Sequence, residues 1–402
     1  GSRSQVGLEV GQGVQHQLLV ADTWIDTFSM VAVYMKSTFA EQTTPAEVAL
    51  VDSQATVTGV SFTDADLDSG EIGGSLTWTL PGGAVGLVDT YAVYLAKSIV
   101  GHDRSALDLS LVPGTVSFDL AAETPLSSHA QVLVYTSSSL TEQSLPAAFQ
   151  LSDVDGLPVS PWFTDLDLDA EQVGGKVLWT PPADTTKLDN YNIYLAQNAA
   201  GSSGKVLLGT RAVGTNAISV SVDTSSATYT HVVVFAQSSL AEQTTPAANL
   251  LVDTSQSIAG ITFTDLDLDA GELGGTVQWA TGVSTSHVQY YAVYLAAAAD
   301  GSSRSRLGSG DLPVSVEFLA VGSDIAIATL GFVLVYTRSS LAEQTTPVFA
   351  AVADEAASVS GVAFVDDDLD SLEIGGTVMW VPPASTSQVS HYELYWDQTI
   401  LG

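Results

Sequence analysis

Cysteine is absent from the 402 residues, which removes disulfides, thiolate metal sites and cysteine nucleophiles together. Basic residues are scarce: eleven Lys and Arg face forty-five Asp and Glu, for a net charge of −34. That balance repels nucleic acid, anionic membrane surfaces and acidic substrates, and the partner it invites is a cation. Long apolar runs are missing as well. "YYAVYLAAAA" and "IAIATLGFVLVY" are too short or too interrupted to span a bilayer, so no membrane insertion is expected in this segment. No charged-then-apolar leader precedes Gly1, so a secretion signal is expected to have been removed or to lie upstream. No Asn-x-Ser/Thr sequon occurs, and the six histidines (His16, His102, His129, His231, His287, His391) show no metal-ligand spacing. Neither a Gly-x-Ser-x-Gly elbow nor a phosphate-cradling glycine loop is found, so an enzyme is not expected. What is present is 46% hydrophobic content, ample for packed cores in a chain long enough for three or four domains.

Those cores repeat. Trp78, Trp179, Trp279 and Trp380 are separated by 101, 100 and 101 residues, and Phe62, Phe163, Phe263 and Phe364 by the same intervals. Glu41, Glu142, Glu242 and Glu343, in "FAEQTTP", "LTEQSLP", "LAEQTTP" and "LAEQTTP", keep the same period. Within each unit, alternating stretches such as "GTVQW", "YYAVYL", "AISVSV" and "HVVVF" are separated by Gly, Pro, Ser, Asn or Asp clusters. Short strands at this density predict an all-β chain, a tandem array of antiparallel β-sandwiches.

At "GGTVQWATG", "GGKVLWTPPADTTKLDNYNIYL" and "GGTVMWVPPASTSQVSHYELYW" the units resemble the fibronectin type III family. Its second-strand Trp, Pro-rich turn and Tyr-x-Val-type third strand are matched by Trp179, Pro181, Pro182, Tyr191 and Ile193. The resemblance covers nearly the whole chain and implies an immunoglobulin-like sandwich. The units depart from the family in being longer, and in the segment "DLDLD" before the second strand. A tyrosine corner fits only at Tyr229, where other units carry Phe28 or Ser128. The repeats also look like those of very long surface proteins of single-celled algae.

Domain starts are placed near 53, 154, 254 and 355, giving repeats at 53–153, 154–253 and 254–354. Residues 1–52 then read as the C-terminal half of a repeat, since "GSRSQVG" matches "SSRSRLG" at 302–308, and 355–402 as an N-terminal half. Three arrangements are compatible: a window on a longer array, head-to-tail completion of one chain by the next, or closure of the halves into a ring. The first two make a filament whose partners are copies of itself.

The acidic segment carries the functional expectation. Read as an extended strand, it puts Asp265, Asp267 and Asp269 on one face about 6.5–7 Å apart, with Leu266 and Leu268 on the other. The equivalents are Asp64, Asp66, Asp68; Asp165, Asp167, Asp169; and Asp366, Asp368, Asp370, followed by Glu71, Glu171, Glu272 and Glu373. Neighbouring carboxylates at that spacing repel by about 0.6 kcal/mol even in water. Calcium, which takes six to eight oxygen ligands, suits such a cluster beside a Gly-Gly turn. The competing reading is a protective acidic row on an edge strand. In a fibronectin-like sandwich, "DLDLDAGE" of one domain faces "LAEQTT" of the following one. Cations bridging Asp165, Asp167 and Asp169 to Glu242 and to Asp153 or Asp253 are expected to stiffen each junction.

Thr43, Thr44, Thr244, Thr245, Thr345 and Thr346, next to prolines in loops, are O-glycosylation candidates, with ordinary turn chemistry as the alternative. The reading as a whole is a structural element of an extracellular or cell-surface fibre. An adhesin or receptor stalk that recognises a glycan or protein is its rival.

Overall fold

The computed structural model describes residues 2–398. The middle unit shows the architecture in full. Its seven strands are Val159–Asp165, Gln172–Thr180, Asn190–Ala196, Val206–Ala212, Ala217–Ser225, His231–Gln237 and Ala247–Leu250. The first, second and fifth form one sheet with the second in the centre, and the other sheet runs fourth, third, sixth, seventh. Every pairing is antiparallel. This is a fibronectin type III-like β-sandwich. The preceding unit repeats the same two sheets, and the following unit does so with its fourth strand split into Ser305–Arg306 and Leu312–Pro313. Outside the three complete sandwiches, Met30–Val33 pairs with Ala46–Ala49, and Ser360–Phe364 pairs with Val378–Val381.

Alternation builds each core. Along the third strand Tyr191, Ile193 and Leu195 are at most 1% exposed, and they face Val173, Val177 and Trp179 of the opposite sheet. Trp179 meets Tyr191 edge-on at 5.4 Å, pinning sheet to sheet. Trp279–Tyr291 at 5.4 Å and Trp78–Tyr91 at 6.0 Å repeat that contact.

The Gly-Gly pairs near the start of each second strand have a local cause. Gly175 sits at φ +153°, and a Cβ there would lie 2.4 Å from the Thr164 carbonyl oxygen of the first strand. The same collision recurs at Gly74 and Gly275, 2.4 and 2.5 Å from the Thr63 and Thr264 oxygens. These glycines let the first strand approach as it bends away.

Gly175→Ala is expected to destabilise the middle unit by about 1–3 kcal/mol, lowering its urea midpoint. Gly260→Ala, with open space around its Cβ, serves as the near-neutral control.

Candidate functional site

The acidic segments lie where the first strand lets go. The strand ends at Phe62 in the first complete unit and at Asp165 and Asp265 in the next two. There the first two aspartates of each segment fold back on the amides two residues on. Asp64 Oδ1 accepts Asp66 N at 3.1 Å, and Asp66 Oδ1 accepts Asp68 N at 2.9 Å. Identical pairs run through Asp165, Asp167 and Asp169, through Asp265, Asp267 and Asp269, and through Asp366, Asp368 and Asp370. The expected extended row is therefore corrected: the period of two comes from successive Asx-type turns rather than from a β pleat.

The remaining oxygens are spent on backbone amides. Asp64 also accepts Gly73 N at 3.0 Å and, from the linker to the next unit, Val154 N at 3.0 Å. Asp66 Oδ2 accepts Glu123 N at 2.6 Å, at a bulge in the fifth strand where Glu123 has φ +63°. Asp68 reaches across the junction, its two oxygens accepting Thr244 N at 2.6 Å and Thr245 N at 2.9 Å. All six oxygens are thus engaged, and the three residues are only 3–4% exposed. Such bonds to a carboxylate are among the stronger kind and offset part of its desolvation.

The second junction is bonded in the same way. Asp165 holds Gly174 N and Thr254 N, Asp167 holds Asp223 N, and Asp169 holds Thr345 N at 2.6 Å and Thr346 N at 2.9 Å. Between the aspartates, Leu67 and Leu168 are each 1% exposed because they enter the core of the following unit. Ser238 Oγ donates to Ala65 O and Gln243 Nε2 to Leu67 O, and Ser339 and Gln344 do the same to Leu166 O and Leu168 O. The acidic segment of one unit does therefore meet the Glu-Gln-Thr-Thr turn of the next.

Glu242 is not part of that meeting. It accepts from Asn192 and Tyr194 and pairs with Lys205, whose ammonium lies 4.4 and 4.1 Å from the Tyr194 and Phe235 ring centroids. Glu142 with Arg104, and Glu343 with Arg304, build the same cation–aromatic cover on the outer face of the four-stranded sheet. The period of Glu41, Glu142, Glu242 and Glu343 belongs to this cover, where Arg3 over Tyr34 repeats it. Asp153 and Asp253 stay within their own units, accepting Gly70 N and Glu171 N.

Three groups of carboxylates converge closely enough to share a cation: Asp66, Asp68, Glu71 and Glu123; Asp167, Asp169 and Asp223; and Asp267, Glu272 and Asp324. Asp64, Asp165 and Asp265 fall outside them, tied to amides instead, and so do Asp269 and Glu171. Gln172 starts its strand where Glu71 and Glu272 start theirs. Asp366, Asp368, Asp370 and Glu373 form no such group among the described residues. Sequence reasoning missed Glu123, Asp223 and Asp324. Their recurrence at intervals of 100 and 101 residues was the available signal, and the structure adds that all three sit at left-handed φ values of 63°, 59° and 65°.

Crowding of like charge shows in their acidity. Burial first, then Glu71, Asp66 and Asp68, push Glu123 up to about 7. Burial raises Asp165 to about 6 despite its three amide bonds. Asp223 is raised by burial and by Asp167 and Asp169, and Glu272 by burial and by Asp324. Asp267 moves the other way, held down by the Asp324 amide. An all-oxygen donor set of this kind fits a hard divalent cation. The side chains of Thr43, Thr44, Thr244, Thr245, Thr345 and Thr346 are exposed, although four of their amides are held in the junctions.

No family model matches the chain, and no curated protein matches it. Among solved structures it is similar to the crystal structure of chicken CNTN1 FN1–FN3 domains, at 12% identity. That match covers 75% of this chain and 98% of that one, with a TM-score of 0.24. The fold assignment above rests on strand order and core packing, not on this likeness.

Asp68→Asn replaces an acceptor with a donor against Thr244 N or Thr245 N. It is expected to weaken the first junction by about 2 kcal/mol, read as faster hydrogen exchange at those two amides with the Trp179 core unchanged. For pH, the sign follows from Glu123. Its folded value of about 7 lies above the ordinary carboxylate range, so its contribution is complete at low pH and lost as pH rises through 7. Without divalent cations, the first unit should melt higher at pH 5.5 than at pH 8, and Glu123→Gln should erase that difference.

Proposed function

We propose that this chain is a segment of an extracellular fibre or surface filament, in which fibronectin-like units are locked end to end into a stiff array. The observation that carries the reading is the identity of the two junctions. In each, a buried leucine and a carboxylate gripping two consecutive threonine amides pass from one unit into the next. An inter-unit contact built from a shared core holds one angle, whereas a flexible linker does not. Repetition of one set of bonds along the chain is what a filament requires. Its partners are copies of the same repeat, and no catalytic role is proposed.

Calcium is the cation this reading assigns to the converging carboxylates. Asp66, Asp68, Glu71 and Glu123 supply oxygen only and flank the junction, where Thr244 Oγ1 lies 3.4 Å from Glu123 Oε2. A bound divalent ion relieves the repulsion that otherwise raises Glu123. The exposed threonines of the turns are proposed as O-glycan acceptors.

One observation favours the adhesin reading instead. Trp162 is 59% exposed on the middle unit, beside Thr164, Lys176 and Leu178, where the other units carry Ser61, Thr262 and Ala363. An exposed aromatic at a position that differs between units is the contact this second reading would use.

Cryo-electron microscopy and solution scattering, with and without a chelator, test the array. A straight rod with a step of roughly 30–40 Å per unit is expected, and broadly distributed inter-unit angles in both conditions would reject it. For calcium the expected signature is two opposite effects of Glu123→Gln at pH 8. The variant should be more stable than the parent in chelator, yet gain less from added calcium. Equal calcium responses in the two proteins would remove the metal from this site.

A further inference from the structure

The outer face of the three-stranded sheet is distinctive in the middle unit, a complete sandwich with a complete sandwich on either side. Thr164, Lys176 and Ser219 stand abreast across its three strands, and Trp162, Leu178 and Ala217 form the adjoining row. These positions alternate with buried Pro161, Val177 and Ile218, so their side chains point away from the core. Trp162, Thr164, Leu166, Lys176 and Leu178 outline a shallow cavity of about 180 Å³.

A bulge presents the tryptophan. The pairing of the first and second strands slips between Val159 and Trp162, and Ser160 holds φ +49° within that slip. Gly59, Gly260 and Gly361 occupy the same place in the other units. Bulges re-aim side chains, and a serine kept in the left-handed region where its equivalents are glycine is held there by its surroundings.

Lys176 is a cation without a partner. Eight of the eleven Lys and Arg pair with carboxylates, whereas the Lys176 ammonium has neither ion pair nor hydrogen bond among the described residues. The Thr164 and Ser219 hydroxyls beside it are likewise unengaged among the described residues. The preceding unit has Ser75 and Asp119 in the places of Lys176 and Ser219, and the following unit has Thr276 and Ala320. In a chain of net charge −34, this face is a local patch of positive charge beside an aromatic plate.

We infer that this face binds an acidic sugar, a pyranose ring that carries a carboxylate. The C–H face of the ring stacks on the Trp162 indole, whose π face is negative. Lys176 lies diagonally across the strand pair from Trp162, about 7–8 Å away along the backbone. Its long side chain reaches a carboxylate at the edge of the stacked ring, and that acceptor gives it a charge-assisted bond. Thr164 and Ser219 both donate and accept, as the hydroxyls of a sugar require. The inference rests on the second reading above, to which it gives a ligand class, and is independent of the filament.

Two variants of the full chain test it, Trp162→Ser and Lys176→Thr. Each installs a residue that a neighbouring unit carries at the same place, so the fold is expected to hold, and the indole signals of the other six tryptophans check that it does. Affinities for tetragalacturonate, for the neutral galactose tetramer and for tetra-aspartate are measured by ligand-observed NMR. A chelator is present because uronates themselves take up calcium. The parent should bind the uronate at least about tenfold more tightly than the neutral sugar, and Trp162→Ser should weaken it by at least about tenfold, as loss of an aromatic anchor implies. Lys176→Thr should bind the two sugars alike. A parent without preference for the acid, or variants that bind as the parent does, would overturn the inference. If tetra-aspartate binds as well as the uronate, the sugar falls and the binder reading stands, whereas a parent that binds none of the three removes both.

Discussion

A carboxylate that accepts backbone amides is the interaction on which this structure depends. An amide taken out of water must find an acceptor, and the places where these sandwiches meet are short of them. The strand has ended, the second strand carries two glycines near its start, and the fifth strand bulges. Three aspartates spaced two apart supply six acceptor oxygens at that spot. The first ties the glycine turn to the linker, the second holds the bulge, and the third holds the neighbouring unit. The leucines between them are freed to enter a core that is not their own.

Much of the array was legible in the sequence. The recurrence of Trp78, Trp179, Trp279 and Trp380 gave the period, and alternation around Tyr191 gave the sheets. The pairing of the acidic segment with the Glu-Gln-Thr-Thr turn followed from the polarity of a fibronectin-like sandwich. The conformation of the segment itself did not follow. A period of two is produced by a pleated strand and equally by successive turns that bond residue i to the amide of i+2, and composition does not separate them. Which core Leu67 enters was hidden for a related reason: periodicity states that a side chain is buried, not in whom.

Two other features lay beyond local pattern. Glu123 comes to Asp66 from 57 residues away, through a left-handed bulge that glutamate seldom adopts. The repeated glutamate of the turns looked like a junction ligand because it neighbours the junction in sequence. Its side chain instead points back to its own sheet, where Tyr194 and Lys205 occupy it. Glu242 and Thr244 thus serve different ends of one loop, the first through a side chain turned to its own sheet and the second through a backbone amide turned to the preceding unit.

The leucine that crosses each junction also gives the array a direction of assembly. Leu67 belongs to the earlier-made unit and completes the core of the later one, together with Tyr191 and Val234. As the chain leaves the ribosome, each new sandwich finds one piece of its interior already fixed in a folded predecessor, and it closes around that piece once its Thr-Thr turn and seventh strand emerge. Near-identical neighbours are the sequences most prone to pairing with the wrong partner during synthesis. A finished unit that offers its successor a single seeded site restricts that choice before the next strands are complete.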